Sequence, residues 1–159
     1  MKAIYIVFPA LILLSAACST QPNGSQLINK DASLPSSFNF SKMGLKVIST
    51  AINKKNATMC TLYGNELALK TAIAGNAPQP GEVLAMITWK QKEDEHWFGA
   101  KIPGELLSLE IIKTTGGQFE NIKANYQRYE GKLLTLSNDT TGNEKSMRYI
   151  FAQQPSVMP

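Results

Sequence analysis

Two β-prone runs, Leu45–Thr50 and Thr58–Tyr63, are separated by little more than the turn-like Asn53-Lys54-Lys55-Asn56. So short a connection leaves the two strands one arrangement, an antiparallel hairpin. Glu82–Trp89 is mostly apolar and bounded by Pro80-Gly81, and Leu106–Ile112 is a further apolar run. Lys145–Ala152 alternates well enough to read as a final strand. One helix is marked at both ends: Asn65 is a good N-cap, Glu66 suits the positive end of the helix dipole, and Gly75 is a stop signal. Leu69 and Ile73, like Ala68 and Ala72, stand one turn apart and offer a face that can lie on a sheet. Glu66 and Lys70 have the spacing of a weak ion pair. A second helix is expected around Gln118–Asn125. Strands with hairpin connections and a few helices predict an α+β domain on an antiparallel sheet.

What surrounds this pattern sets its compartment. Lys2 is followed by an apolar run, Ala3–Leu14, and then by Ser15-Ala16-Ala17. This is the layout of an export signal, and its roughly fifteen apolar residues fall short of the roughly twenty a spanning helix needs. Leu14-Ser15-Ala16-Ala17-Cys18 resembles a lipobox, with Ser15 where an aliphatic residue is commoner. That resemblance implies cleavage before Cys18, a diacyl group on its thiol and an acylated amine, such as palmitate, that hold the chain to a membrane. Ser19, and not Asp, follows the cysteine, which directs such proteins to the outer membrane, facing the periplasm. Residues 1–17 are then a leader. Residues 18–39, rich in Ser, Asn, Gln and Pro, are a lipidated tether. Residues 40–159 are one domain, as the 159-residue length allows. Acylation takes one of the two cysteines, so Cys60 has no intramolecular partner. It is expected as a small buried apolar residue, or else as a thiol free for an intermolecular bond.

The excess of basic over acidic residues is four, and three once Lys2 is removed, spread along the chain. No Lys/Arg cluster suited to a phosphate backbone occurs, so nucleic acid is not an expected partner. Motifs of catalysis are absent: no glycine-rich phosphate loop, no paired-cysteine metal spacing and no nucleophile elbow. No catalytic residue is assigned. His96, the only histidine, lies in the charged Lys92-Glu93-Asp94-Glu95-His96-Trp97, which reads as a solvated loop; it is the sole candidate metal or haem ligand of its type.

The order of several short motifs is similar to that of the cytochrome P-460 family. Lys46-Val47-Ile48-Ser49 is followed by Gly64-Asn65-Glu66-Leu67-Ala68, by Pro80-Gly81 with Val83–Lys90, by Trp97, by Pro103-Gly104, and by Thr115-Gly116-Gly117 and Tyr149-Ile150-Phe151. The resemblance covers roughly residues 40–152. It implies a periplasmic protein with an antiparallel sheet and helices around a c-type haem. That haem would be attached by a Cys-x-x-Cys-His motif near the C-terminus and, in hydroxylamine-oxidising members, crosslinked to a lysine. Related members without the crosslink bind small gases such as nitric oxide. Two departures matter. Leu136–Lys145, where the haem motif would lie, contains neither cysteine nor histidine, and Met86 stands where the crosslinking lysine would. Covalent haem by that route is excluded, because thioethers need thiols and the iron needs its axial histidine.

The expectation is therefore a non-catalytic module that binds a small ligand or an envelope protein, with no cofactor and with Met86, Trp89 and Trp97 as candidate pocket residues. Two alternatives stand beside it. One is an oxidoreductase or nitric-oxide-binding protein with non-covalent haem on His96 or Met86. The other is a structural envelope lipoprotein.

Overall fold

The computed structural model describes residues 28–116 and 122–155. Six strands form one antiparallel open sheet in chain order: β1 (Lys46–Asn53), β2 (Thr58–Gly64), β3 (Val83–Glu93), β4 (Lys101–Thr115), β5 (Lys123–Glu130) and the short β6 (Thr135–Leu136). Helix α1 (Glu66–Ala74) joins β2 to β3, and helix α2 (Asn143–Phe151) ends the described chain. The protein has an α+β fold. Among the described residues, no helix is long and apolar enough to cross a membrane.

Alternation along β3 sends its side chains to two different cores. Ala85, Ile87 and Trp89 join Leu106, Leu109 and Ile111 of β4 on one face. Leu84 and Met86 join Ile48, Leu62 and Ile112 on the other, under the helices. Ile87, Leu106, Leu109 and Ile112 are sealed from solvent, and full burial of such a side chain contributes about 1.5–3 kcal/mol.

The face away from the helices is covered by the chain leading into β1. Expected as free tether, this segment lies on the sheet from Asn29 onward. The Asn29 amide donates to the Pro103 carbonyl at 2.6 Å, and the Trp89 indole donates to the Ala32 carbonyl at 2.9 Å. Ala32, Leu34 and Phe38 pack against the core there, Phe40 is buried in it, and Phe38 and Phe40 meet Tyr129 and Tyr63 edge to face. The reason is elementary: an antiparallel sheet with two apolar faces needs both covered, and the few apolar residues among the polar ones of this segment suffice for one.

The helix capping matches the sequence reading. Asn65 accepts a hydrogen bond from the Ala68 amide, and Gly75 takes the left-handed conformation (φ 64°) that stops α1. The buried positions of α1 are Ala68 and Thr71, whereas Ile73 is 67% exposed. Small residues let the helix lie close to the sheet. Gly64 does the same beneath them: a Cβ there would stand 2.5 Å from Ile48 Cδ1 and 3.0 Å from Ala68 Cβ. A bulge in β1 between Val47 and Ser49 turns Ile48 into this space. Glu66 pairs more closely with Lys46 (2.6 Å) than with Lys70 (3.9 Å).

Two sequence expectations fail. Lys145–Ala152 is not a strand, since Asn143–Phe151 is α2. Over so short a window apolar residues fit either period. Ile150 is the buried residue, with Met147 and Phe151 packed beside it at helical spacing. Of the helix expected at Gln118–Asn125, residues 118–121 lie outside the described residues, and Lys123–Asn125 begin β5.

Candidate functional site

The helix side of the sheet is only partly covered. α1 and α2 lie over Ile48, Leu62, Leu84 and Ile112, and toward the β1–β2 turn the same face opens into a cleft of about 520 Å³. Its floor is Ala51 and Asn53 of β1, Thr58 and Cys60 of β2, and Met86 and Thr88 of β3. The strand register places Ala51 beside Cys60 and Cys60 beside Thr88, all with side chains on this face. Tyr149, on the rim of α2 and 45% exposed, forms one wall. The volume falls in the range of small-molecule sites, and the lining mixes a thioether and a methyl with hydroxyl and amide groups.

The polar groups are mutually engaged. Tyr149 stands beside the Cys60 thiol, and burial, outweighing the influence of that hydroxyl, pushes the thiol above its ordinary value. A thiol kept protonated is a poor nucleophile and a poor metal ligand. Behind the cleft, Glu110 of β4 is buried beside Met86, its register partner. The Tyr126 hydroxyl donates to the Glu110 carboxylate, with Ser146 of α2 nearby. A buried carboxylate needs such a partner. Here the bond also ties β5 to β4 by their side chains.

Four weak acids, three on the sheet and Tyr149 on α2, therefore hold their protons more tightly when folded. Burial raises Tyr126, helped by Glu110, and it raises Tyr149, Tyr63 and Cys60. A raised folded value contributes stability that is present below the unfolded value and lost as pH rises through the folded one. The unfolded chain releases these protons first, near about 8.5 for cysteine and about 10 for tyrosine. The urea midpoint should accordingly be level up to about pH 8 and fall progressively at pH 9 to 11. Tyr126→Phe should flatten the upper part of that fall. A midpoint that holds steady to pH 11 in the wild type would contradict the assignment.

The three candidate pocket residues do not come together. Met86 lies in the cleft floor. Trp89 is buried on the opposite face, hydrogen-bonded to Ala32. Trp97 is 73% exposed on the β3–β4 hairpin, next to a fully exposed Phe98. His96 is exposed on the same hairpin, where its backbone amide donates to Asp94, and it does not line the cleft. Among the described residues no group of three or more His, Cys, Asp or Glu is placed to hold a metal ion. Cys18 lies outside the described residues. The sequence reading missed Glu110 and Tyr149. A glutamate inside the apolar run Leu106–Ile112 was a legible signal for the first, and the misassigned final element concealed the second.

Compared with known families and with curated proteins, the chain matches none.

Proposed function

We propose that this protein is a lipid-anchored, periplasm-facing module of the outer membrane that binds a small ligand in the α2 cleft without transforming it. The observation that carries the reading is the cleft itself: an open part of an otherwise covered sheet face, floored by Cys60, Met86 and Thr88 and walled by Tyr149. Apolar floor atoms beside hydroxyls suit a small, flat, partly apolar molecule. The neutral thiol and the internally satisfied Glu110–Tyr126 pair favour binding over catalysis.

The cytochrome P-460 resemblance is compatible with this reading. Met86, at the position of the family's crosslinking lysine, is in the cleft, and the segment replacing the haem motif leads directly into α2. The residues do not fit a c-type haem, since no Cys-x-x-Cys-His exists and the cleft lining holds no histidine. On this reading the scaffold has exchanged cofactor binding for ligand binding.

The cleft is tested with the chain from Ser19 onward, titrated with the apolar fluorophore 1-anilinonaphthalene-8-sulfonate. Thr88→Trp should fill the floor and weaken binding about tenfold or more, a difference of about 1.4 kcal/mol. Equal affinity in the two proteins would remove the cleft as a binding site. The anchor is tested by labelling cells with radioactive palmitate. Cys18→Ser should abolish the label and the membrane fractionation together, and a serine variant that still carries label would end the lipoprotein reading.

A further inference from the structure

Trp97 and Phe98 are the two adjacent aromatic side chains most open to solvent among the described residues, and neither takes part in the cleft. They sit at the tip of the β3–β4 hairpin, beyond its last paired residues Glu93 and Lys101. The exposed Leu133, in the β5–β6 turn, lies at the same end of the sheet, because that turn is tied to Leu107 of β4 through Gly131. Exposed Trp and Phe on a tight tip are costly to leave in water and characteristic of groups that enter a membrane interface.

The path of the chain says what lies opposite them. Followed toward its N-terminus, the covering segment passes from Trp89, bonded to Ala32, to Pro103, bonded to Asn29. Pro103 pairs with Gln91, so the chain, followed back as far as Asn29, runs toward the hairpin tip. Cys18 precedes Asn29 by eleven residues, which at full extension reach at most about 40 Å. An acylated Cys18 therefore keeps the bilayer within that distance of Asn29, which is bonded to Pro103 near the base of the hairpin that carries Trp97 and Phe98. Four of the hairpin's charges are paired, Lys92 with Glu95 and Lys101 with Glu93, and Asp94, which accepts the His96 backbone amide, leaves the tip with a single net negative charge.

We infer that the β3–β4 hairpin tip is a membrane-docking element, whose Trp97 and Phe98 insert into the interface of the bilayer that holds the lipid anchor. This inference rests on the reading of Cys18 as the acylated residue. Docking at this end fixes the orientation of the domain: the sheet strands stand away from the membrane, with α1 at the far end.

The test uses the full lipidated protein in vesicles of phosphatidylethanolamine and phosphatidylglycerol, with and without brominated acyl chains. The chain has two tryptophans. Because Trp89 is buried in the sheet, the difference between wild type and Trp97→Phe isolates the emission of Trp97. Expected are co-flotation with vesicles, a blue-shifted Trp97 emission, and loss of most of that emission in brominated lipid. The Trp97→Ser/Phe98→Ser double variant, altering only exposed side chains, should remain folded and still float. Protein that floats while Trp97 emits as in water overturns the docking element and leaves the anchor standing. Protein that does not float overturns the anchor and the docking with it. Emission that is blue-shifted in native envelopes but unquenched in brominated vesicles assigns the tip to a protein partner, and so overturns a lipid one.

Discussion

Trp89→Ala is expected to destabilise the protein by about 3–5 kcal/mol, the cost of deleting a large buried aromatic from a packed core. The side chain is buried against Ile87, Leu106 and Leu109, and its indole nitrogen bonds to Ala32 at 2.9 Å. The loss has two parts that a second variant separates. Trp89→Phe keeps much of the packing and removes the bond, for about 0.5–1.5 kcal/mol. The alanine variant also removes the surface on which residues 29–40 rest. Urea denaturation followed by circular dichroism gives the energies. Hydrogen exchange should show protection lost first in residues 29–40 of the variant. A Trp89→Ala protein within 1 kcal/mol of wild type would mean that the covering segment contributes little to the fold.

Ile150→Ala should have the second largest effect, about 2–5 kcal/mol, with a different consequence. Ile150 is the one fully buried residue of α2, packed in the core of Ile48, Leu62, Leu84 and Ile112. The helix has no side-chain cap at Gly142, and its Glu144–Arg148 pair is exposed, so its nine residues depend on tertiary contact. Loosening α2 should also displace Tyr149 from the cleft wall. The variant is therefore expected to lose fluorophore binding in the cleft at temperatures where its sheet is still folded. Stability lost with binding unchanged would show that α2 does not build the site.

The two helices show why one part of the fold could be read and another could not. The boundaries of α1 are set by Asn65 and Gly75, whose capping is a matter of a few neighbouring atoms. The β1–β2 hairpin is equally local, with only a short turn between its strands. α2 lacks such marks: its N-cap is Gly142, without a capping side chain, and Lys145–Ala152 offers nearly as good an alternation for a strand. Burial of Ile150 against the sheet decided the matter. The covering segment was hidden for a similar reason. Asn29–Phe38 has the polar composition of a tether, and its packing depends on Trp89 and Pro103, 57 and 74 residues away from their partners in sequence.

The candidate site divides along the same line. Strand parity alone separates Met86 from Trp89, three residues apart and so on opposite faces. Which of those faces would be sealed, and which left open, depends on where α2 comes to rest. Sequence by itself determined the lone histidine, the missing haem motif, the first hairpin and the capped helix. These follow from residue identity and from contacts a few positions apart. Only the tertiary structure decided that Met86 meets Cys60 and Tyr149 in a cleft, that Trp89 bonds to Ala32, and that Trp97 stands in solvent on the β3–β4 hairpin. Each of those outcomes depends on which distant segment covers a given part of the sheet, and no local preference encodes that choice.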